Sequence, residues 1–101
     1  MARGVMEDWL EAQVAGAPAD LVARTLEFAR AEGPVTPASL ARAGRSALEA
    51  AVRASPDRGA ALDLLAADAL VTLALAAQTE TDPAGLEAFA ARLRTGEDPA
   101  A

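Results

Sequence analysis

The sequence contains no cysteine, no histidine and no lysine. Disulfide bonds and catalysis by a thiolate or an imidazole are therefore excluded, and a zinc site would need carboxylate ligands alone, which is rare. The lysine that ends a glycine-rich phosphate loop is missing as well. Because the acidic residues show no spacing typical of a metal site or a reaction, we expect no cofactor, no metal site and no catalytic residues.

Tyrosine and isoleucine are also absent, and aromatic residues make up only 3% of the chain. Strands are rich in aromatic and β-branched residues, so this composition disfavours a β-sheet. Alanine, the strongest helix former, is the most frequent residue. A chain of 101 residues has the size of one domain. We therefore expect an all-α protein with a single domain at residues 1–96 and a flexible tail at residues 97–101.

The formal net charge of the chain is −6. Nucleic-acid-binding domains usually carry a basic patch, and an acidic chain lacks one overall, so we do not expect a nucleic acid partner. Charges of both signs are spaced along the predicted helices. Asp20 and Arg24, for example, have the i,i+4 spacing of a surface ion pair within one helix.

The longest apolar run, residues 60–77, is rich in alanine and contains Asp63 and Asp68. A membrane-spanning helix has about 20 predominantly apolar residues with few or no charges. The first residues of the chain also lack the pattern of a secretion signal. We therefore interpret the run as a buried helix and expect a cytoplasmic protein without a membrane partner.

Proline and glycine residues divide the chain into helices. Three polar residues directly precede a proline, as is typical of N-terminal helix caps: Thr36, Ser55 and Asp82. Three glycines stand where a left-handed residue would end a helix: Gly16, Gly33 and Gly96. These positions predict five helices: 5–15, 18–32, 37–54, 56–79 and 83–94. Their short connections predict a compact five-helix bundle with antiparallel neighbours.

The fourth predicted helix, residues 56–79, has two apolar faces. On a helical wheel, one face carries Leu62, Leu70 and Leu73, and the other, more than a right angle away, carries a second set: Leu64, Val71 and Leu75. A helix that is apolar on most sides is usually buried, which predicts a central helix surrounded by the others. Alternatively, the second face packs against a partner, and the commonest such partner is a second copy in a two-fold homodimer. Both interpretations hold if the other helices cover this one incompletely.

Asp68 lies in the middle of this helix, between the apolar faces. A buried carboxylate without a partner would be costly, so we expect Asp68 to lie at a rim or to pair with an arginine such as Arg42, Arg45 or Arg92. The functional alternative is a carboxylate that orients a partner, with Thr72 one turn away. The predicted interface therefore consists of five residues: Leu64, Val71, Leu75, Asp68 and Thr72.

Residues 26–54 contain a second signal: a helix, a Gly-Pro turn and a Thr-Pro helix start. This order resembles the opening of a helix-turn-helix DNA-binding unit in small bacterial regulators. The resemblance would assign DNA contacts to three arginines: Arg42, Arg45 and Arg53. Such units continue with a turn and a separate recognition helix, whereas here the apolar periodicity runs unbroken from Leu40 to Val52. The periodicity favours one longer amphipathic helix.

The leading hypothesis is a small bacterial accessory protein that is not an enzyme. We expect an interaction or assembly module that associates with itself, or with another protein, through the fourth helix. One alternative is the DNA-binding regulator built on residues 26–54. The other is a small-molecule-binding protein with a pocket between helices near Asp68 and Trp9.

Overall fold

The computed structural model describes residues 4–54 and 56–100. Five α-helices follow one another without a strand in these ranges: α1 (Val5–Val14), α2 (Ala19–Ala31), α3 (Pro37–Arg53), α4 (Arg58–Thr81) and α5 (Leu86–Thr95). A short 3-10 turn, Pro83–Gly85, precedes α5. The structure confirms the predicted all-α bundle of five helices.

The start of α3 agrees with the prediction. The backbone N–H of Ser39 donates to Thr36 Oγ1 at 2.9 Å, and the backbone N–H of Thr36 donates to Ser39 Oγ at 2.8 Å. This reciprocal capping box satisfies two amides that the helix itself cannot. Arg53, the last residue of α3, comes one position before the predicted end.

The start of α4 differs from the prediction. Asp57, not Ser55, is the cap: its Oδ1 accepts a hydrogen bond from the backbone N–H of Ala60 at 2.8 Å. The helix therefore begins at Arg58, two residues later than the predicted start at Pro56, because the Asp57 carboxylate accepts a hydrogen bond from a free amide of the first turn. Ser55 itself lies outside the described residues.

Some of the other predicted helix ends are confirmed, and others are wrong. Gly33 and Gly96 are left-handed, with φ of 89° and 77°, as predicted for residues that end helices. Gly16 has no positive φ, so that prediction is wrong. Asp82 makes no side-chain capping bond, and the chain passes through the 3-10 turn before α5 begins.

Helix α4 packs most extensively against α3 and also contacts α2 and α5. The buried residues of the main pair are mostly small: Ser39, Leu40, Ala41, Ala43, Gly44 and Ala47 on α3, and Asp63, Ala66, Ala67, Leu70, Ala74 and Ala77 on α4. A Cβ atom at Gly44 would lie only 3.1 Å from Val71 Cγ2, so the missing side chain of Gly44 lets the two helices approach closely.

The buried residues of α4 lie along one side of the helix, and the opposite side is exposed. Helix α4 is therefore central in its contacts but is not enclosed by its neighbours. The exposed side carries Leu64, Leu65 and Val71. The other helices therefore cover α4 incompletely, which is the condition under which both interpretations of the fourth helix hold.

Helix α4 is also the one helix in residues 4–54 and 56–100 that is long and apolar enough to cross a bilayer. The core helix of a soluble protein meets the same criteria of length and composition. Within the bundle, α4 buries Asp63 and packs against α2, α3 and α5.

Candidate functional site

The main surface feature is a set of exposed apolar side chains on α3 and α4. Within the described ranges, six large apolar residues are exposed, and five of them belong to these two helices: Leu48 (46% exposed), Val52 (76%), Leu64 (54%), Leu65 (56%) and Val71 (40%). We call these five residues the α3–α4 face. Isolated apolar residues on a surface are normal, but a contiguous group on two neighbouring helices is typical of an interaction site.

Two adjoining grooves run along this face. The first has a volume of about 640 Å³ and lies between α3 and α4, with Leu93 of α5 also in its lining. The second, of about 580 Å³, extends towards the connection between α3 and α4. Leu48 and Leu64 line both grooves. The face is therefore a continuous, mainly apolar depression along a helical hairpin.

Arg45 and Asp68 are the two charged residues among the described residues that line the first groove. Arg45 comes from α3 and Asp68 from α4, and both are exposed. Neither forms an ion pair with a residue in the described parts of the chain. Of the two positions expected for Asp68, the structure shows the rim position and not a pair with Arg42, Arg45 or Arg92.

The other predicted interface residues differ in their exposure to solvent. Leu64 and Val71 belong to the exposed face, whereas Thr72 is exposed but lines neither groove. Leu75 is half-buried and packs against the core.

Sequence reasoning missed three residues of the α3–α4 face: Leu48, Val52 and Leu65. The apolar periodicity from Leu40 to Val52 places both α3 residues on the apolar face of the helix, and such a face is expected to pack on the core. The signal that could have found them is the set of small residues on the same helix, Ala43, Gly44 and Ala47, which are buried while the larger residues remain exposed.

Helix α3 is continuous through Gly44, which confirms the prediction of one longer helix. Of the three arginines proposed for DNA contacts, Arg42 is engaged elsewhere: its Nε atom lies 3.3 Å from Glu32 Oε1, and its Nη1 atom lies 3.5 Å from Asp98 Oδ1. Arg45 lines the first groove, and Arg53 is exposed at the end of α3.

A buried polar contact lies on the other side of α4. The Nε atom of Arg24 on α2 is 3.3 Å from Asp63 Oδ1. The hydroxyl of the neighbouring Thr25 is buried without a hydrogen-bond partner in the described parts of the protein. Trp9 packs against the core from α1 and does not line either groove, so the structure does not bring Trp9 and Asp68 together.

Comparisons with known proteins add no assignment. No family model matches the sequence, and no similar curated protein or solved structure was found. Among residues 4–54 and 56–100, there is also no group of three histidine, cysteine or acidic side chains that could hold a metal ion.

Proposed function

We propose that the protein is a small assembly module that associates with itself through the α3–α4 face and catalyses no reaction. One observation carries this proposal: five large apolar side chains, 40% to 76% exposed, lie together on two adjacent helices. Water contact with apolar surface is unfavourable by about 25 cal/mol per Å². Covering the face with a partner removes that contact, whereas α1, α2 and α5 leave it uncovered.

The backbone of the face is already formed within a single chain. Helices α3 and α4 form the most extensive contact in the bundle, and Gly44 brings them close together. Binding to such a preformed surface orders few groups, so less of the favourable burial is offset by lost conformational entropy. A helical face of this kind suits a partner helix with apolar anchor residues at i and i+3 or i+4.

Sedimentation equilibrium over a wide micromolar range tests the proposal. We expect a concentration-dependent increase from monomer to dimer mass for the unmodified chain. Leu64→Glu places a carboxylate in both grooves and should abolish the dimer without changing the helical circular dichroism signal. A matched control, Ala23→Glu, adds the same charge at an exposed position of α2 that lines neither groove. A monomer throughout the range would contradict the proposal.

A second candidate function is the binding of a small apolar molecule in the first groove. Its volume of about 640 Å³ falls in the roughly 300–1,000 Å³ range of ligand sites, and Arg45 and Asp68 supply two polar contacts. This candidate predicts that a small apolar compound raises the unfolding temperature of the Leu64→Glu variant less than that of the unmodified chain. Equal shifts in both proteins would contradict it.

A further inference from the structure

We propose that the partner at the α3–α4 face is a second copy related by a two-fold axis, with Arg45 of each copy paired to Asp68 of the other. The inference rests on the proposed function and adds the arrangement of the two chains. It also assigns a role to the two charged residues of the first groove.

The two charges lie on opposite walls of the groove at one level along the helices. A Cβ atom at Gly44 would be 3.5 Å from the carbonyl oxygen of Ala67, which places these two backbones opposite each other. Arg45 directly follows Gly44 on α3, and Asp68 directly follows Ala67 on α4. The α3 wall of the groove therefore carries a positive charge and the α4 wall a negative charge, at the same level along the helices.

This placement suits a two-fold interface. In such an interface, if residue i of one chain contacts residue j of the other, then j also contacts i. One positive and one negative side chain at the same level then form two identical contacts across the axis. Since neither Arg45 nor Asp68 has an ion pair within the described ranges, a second copy would supply the missing partner for both.

Charge and size also favour a second copy. The chain has a net charge of −6, yet the first groove contains one basic and one acidic residue and so carries no net charge. Helices α3 and α4 can lie side by side only over the 17 residues of α3, which is about 26 Å. With an interaxial distance of about 10 Å, the surface that the two helices share measures about 26 by 20 Å, or about 500 Å² on each copy. Two such surfaces bury about 1,000 Å² in total, which is near the lower limit of a specific interface, so we expect a dimer of modest affinity.

Two charge reversals, alone and mixed, test the arrangement. In Arg45→Asp, an aspartate faces Asp68 of the other copy, and in Asp68→Arg, an arginine faces Arg45. Each variant alone should dimerise at least about tenfold more weakly than the unmodified chain, because both contacts become repulsive. Mixing the two variants creates two pairs of opposite charge across the interface, so a heterodimer of near-normal affinity should form.

The mixture separates contacts between copies from contacts within one copy, because an internal pair cannot be restored by adding another variant. Sedimentation or native mass spectrometry measures the three affinities, and circular dichroism verifies folding. Arg94→Asp, an exposed reversal on α5 outside the grooves, is the matched control and should dimerise normally.

Three outcomes overturn the inference in different ways. A dimer that is insensitive to both reversals, or that the mixture does not restore, contradicts the arrangement but leaves the proposed function intact. An unmodified chain that stays monomeric contradicts both. A monomer that co-sediments with phosphatidylcholine vesicles would show that a lipid surface, and not a second copy, covers the face.

Discussion

The Nε atom of Arg24 on α2 lies 3.3 Å from the Oδ1 atom of Asp63 on α4, and Asp63 is only 8% exposed. The two atoms lie within ion-pair distance, although Oδ1 accepts no hydrogen bond from the described residues. The contact therefore joins two helices by charge, at a position where a carboxylate alone would be expensive to bury.

Removal of the arginine should destabilise the protein more than its exposure suggests. Arg24→Met leaves the carboxylate of Asp63 buried without its cation. We expect a loss of about 2 kcal/mol in the free energy of unfolding, below the roughly 3–5 kcal/mol of a fully buried pair because Arg24 is partly solvated. Urea unfolding measures the change. Arg58→Met, which breaks the exposed pair with Asp20, is the control and should lose less than about 0.5 kcal/mol. Equal losses would contradict the prediction.

A second prediction concerns the capping box at the start of α3. Thr36 is exposed, so its side chain acts mainly through the hydrogen bond from Ser39. Thr36→Ala should lower the free energy of unfolding by about 1 kcal/mol, whereas Thr36→Ser keeps the acceptor oxygen and should cost much less. Denaturant unfolding of both variants provides the measurement. The idea fails if serine and alanine are equally destabilising.

The close approach at Gly44 predicts that two substitutions are not independent. Gly44→Ala should gain about 1 kcal/mol from helix propensity. A Cβ atom there lies 3.1 Å from Val71 Cγ2, and valine in a helix is nearly confined to one rotamer. We therefore expect a net change near zero in the presence of Val71, and the full gain when Val71→Ala removes the contact.

The measurement of this coupling belongs in the Leu64→Glu background, so that association does not contribute to the unfolding free energy. Four variants complete the cycle: the background alone, each single substitution and the pair. If Gly44→Ala changes stability by the same amount with and without Val71, the steric contact has no energetic effect.

The C-terminal segment permits a test of the flexible tail expected at residues 97–101. In the structure, Pro99 is buried, its carbonyl accepts a hydrogen bond from Arg92 Nε at 3.3 Å, and Asp98 lies 3.5 Å from Arg42. Because these contacts hold the segment against the bundle, a chain ending at Gly96 should lose about 1 kcal/mol of stability. Unchanged stability, together with rapid hydrogen exchange at the Glu97 amide, would support a flexible tail instead. Ala101 lies outside the described residues.

Local patterns predicted the helices well because each depends on neighbouring residues. The cap at Thr36 and the left-handed Gly33 and Gly96 follow from chemistry within one turn of the chain. The same local patterns did not predict the ion pairs. The i,i+4 spacing predicted Asp20 with Arg24, but Asp20 pairs with Arg58 and Arg24 with Asp63. Those contacts depend on how whole helices are oriented, which spacing within one helix does not encode.

The same limit applies to the candidate site. Leu64 and Val71 were predicted because α4 has more apolar sides than one core can cover. Leu48 and Val52 were missed because their exposure depends on which row of α3 packs against α4. The small residues Ala43 and Ala47 are fully buried, whereas a sequence pattern that ranks residues by hydrophobicity favours leucine and valine for the core.

The pair between Arg24 and Asp63 has a consequence for conformational uniqueness. Because α4 itself carries apolar side chains on two faces, burial alone discriminates weakly between different rotations of this helix about its long axis. A half-turn would bring Asp63 to solvent and carry Asp68 inwards, away from Arg24. We therefore expect that Arg24→Met/Asp63→Leu preserves stability but broadens or doubles the NMR resonances of α4. In that case, the buried ion pair adds little to the stability of the fold but selects a single orientation of α4.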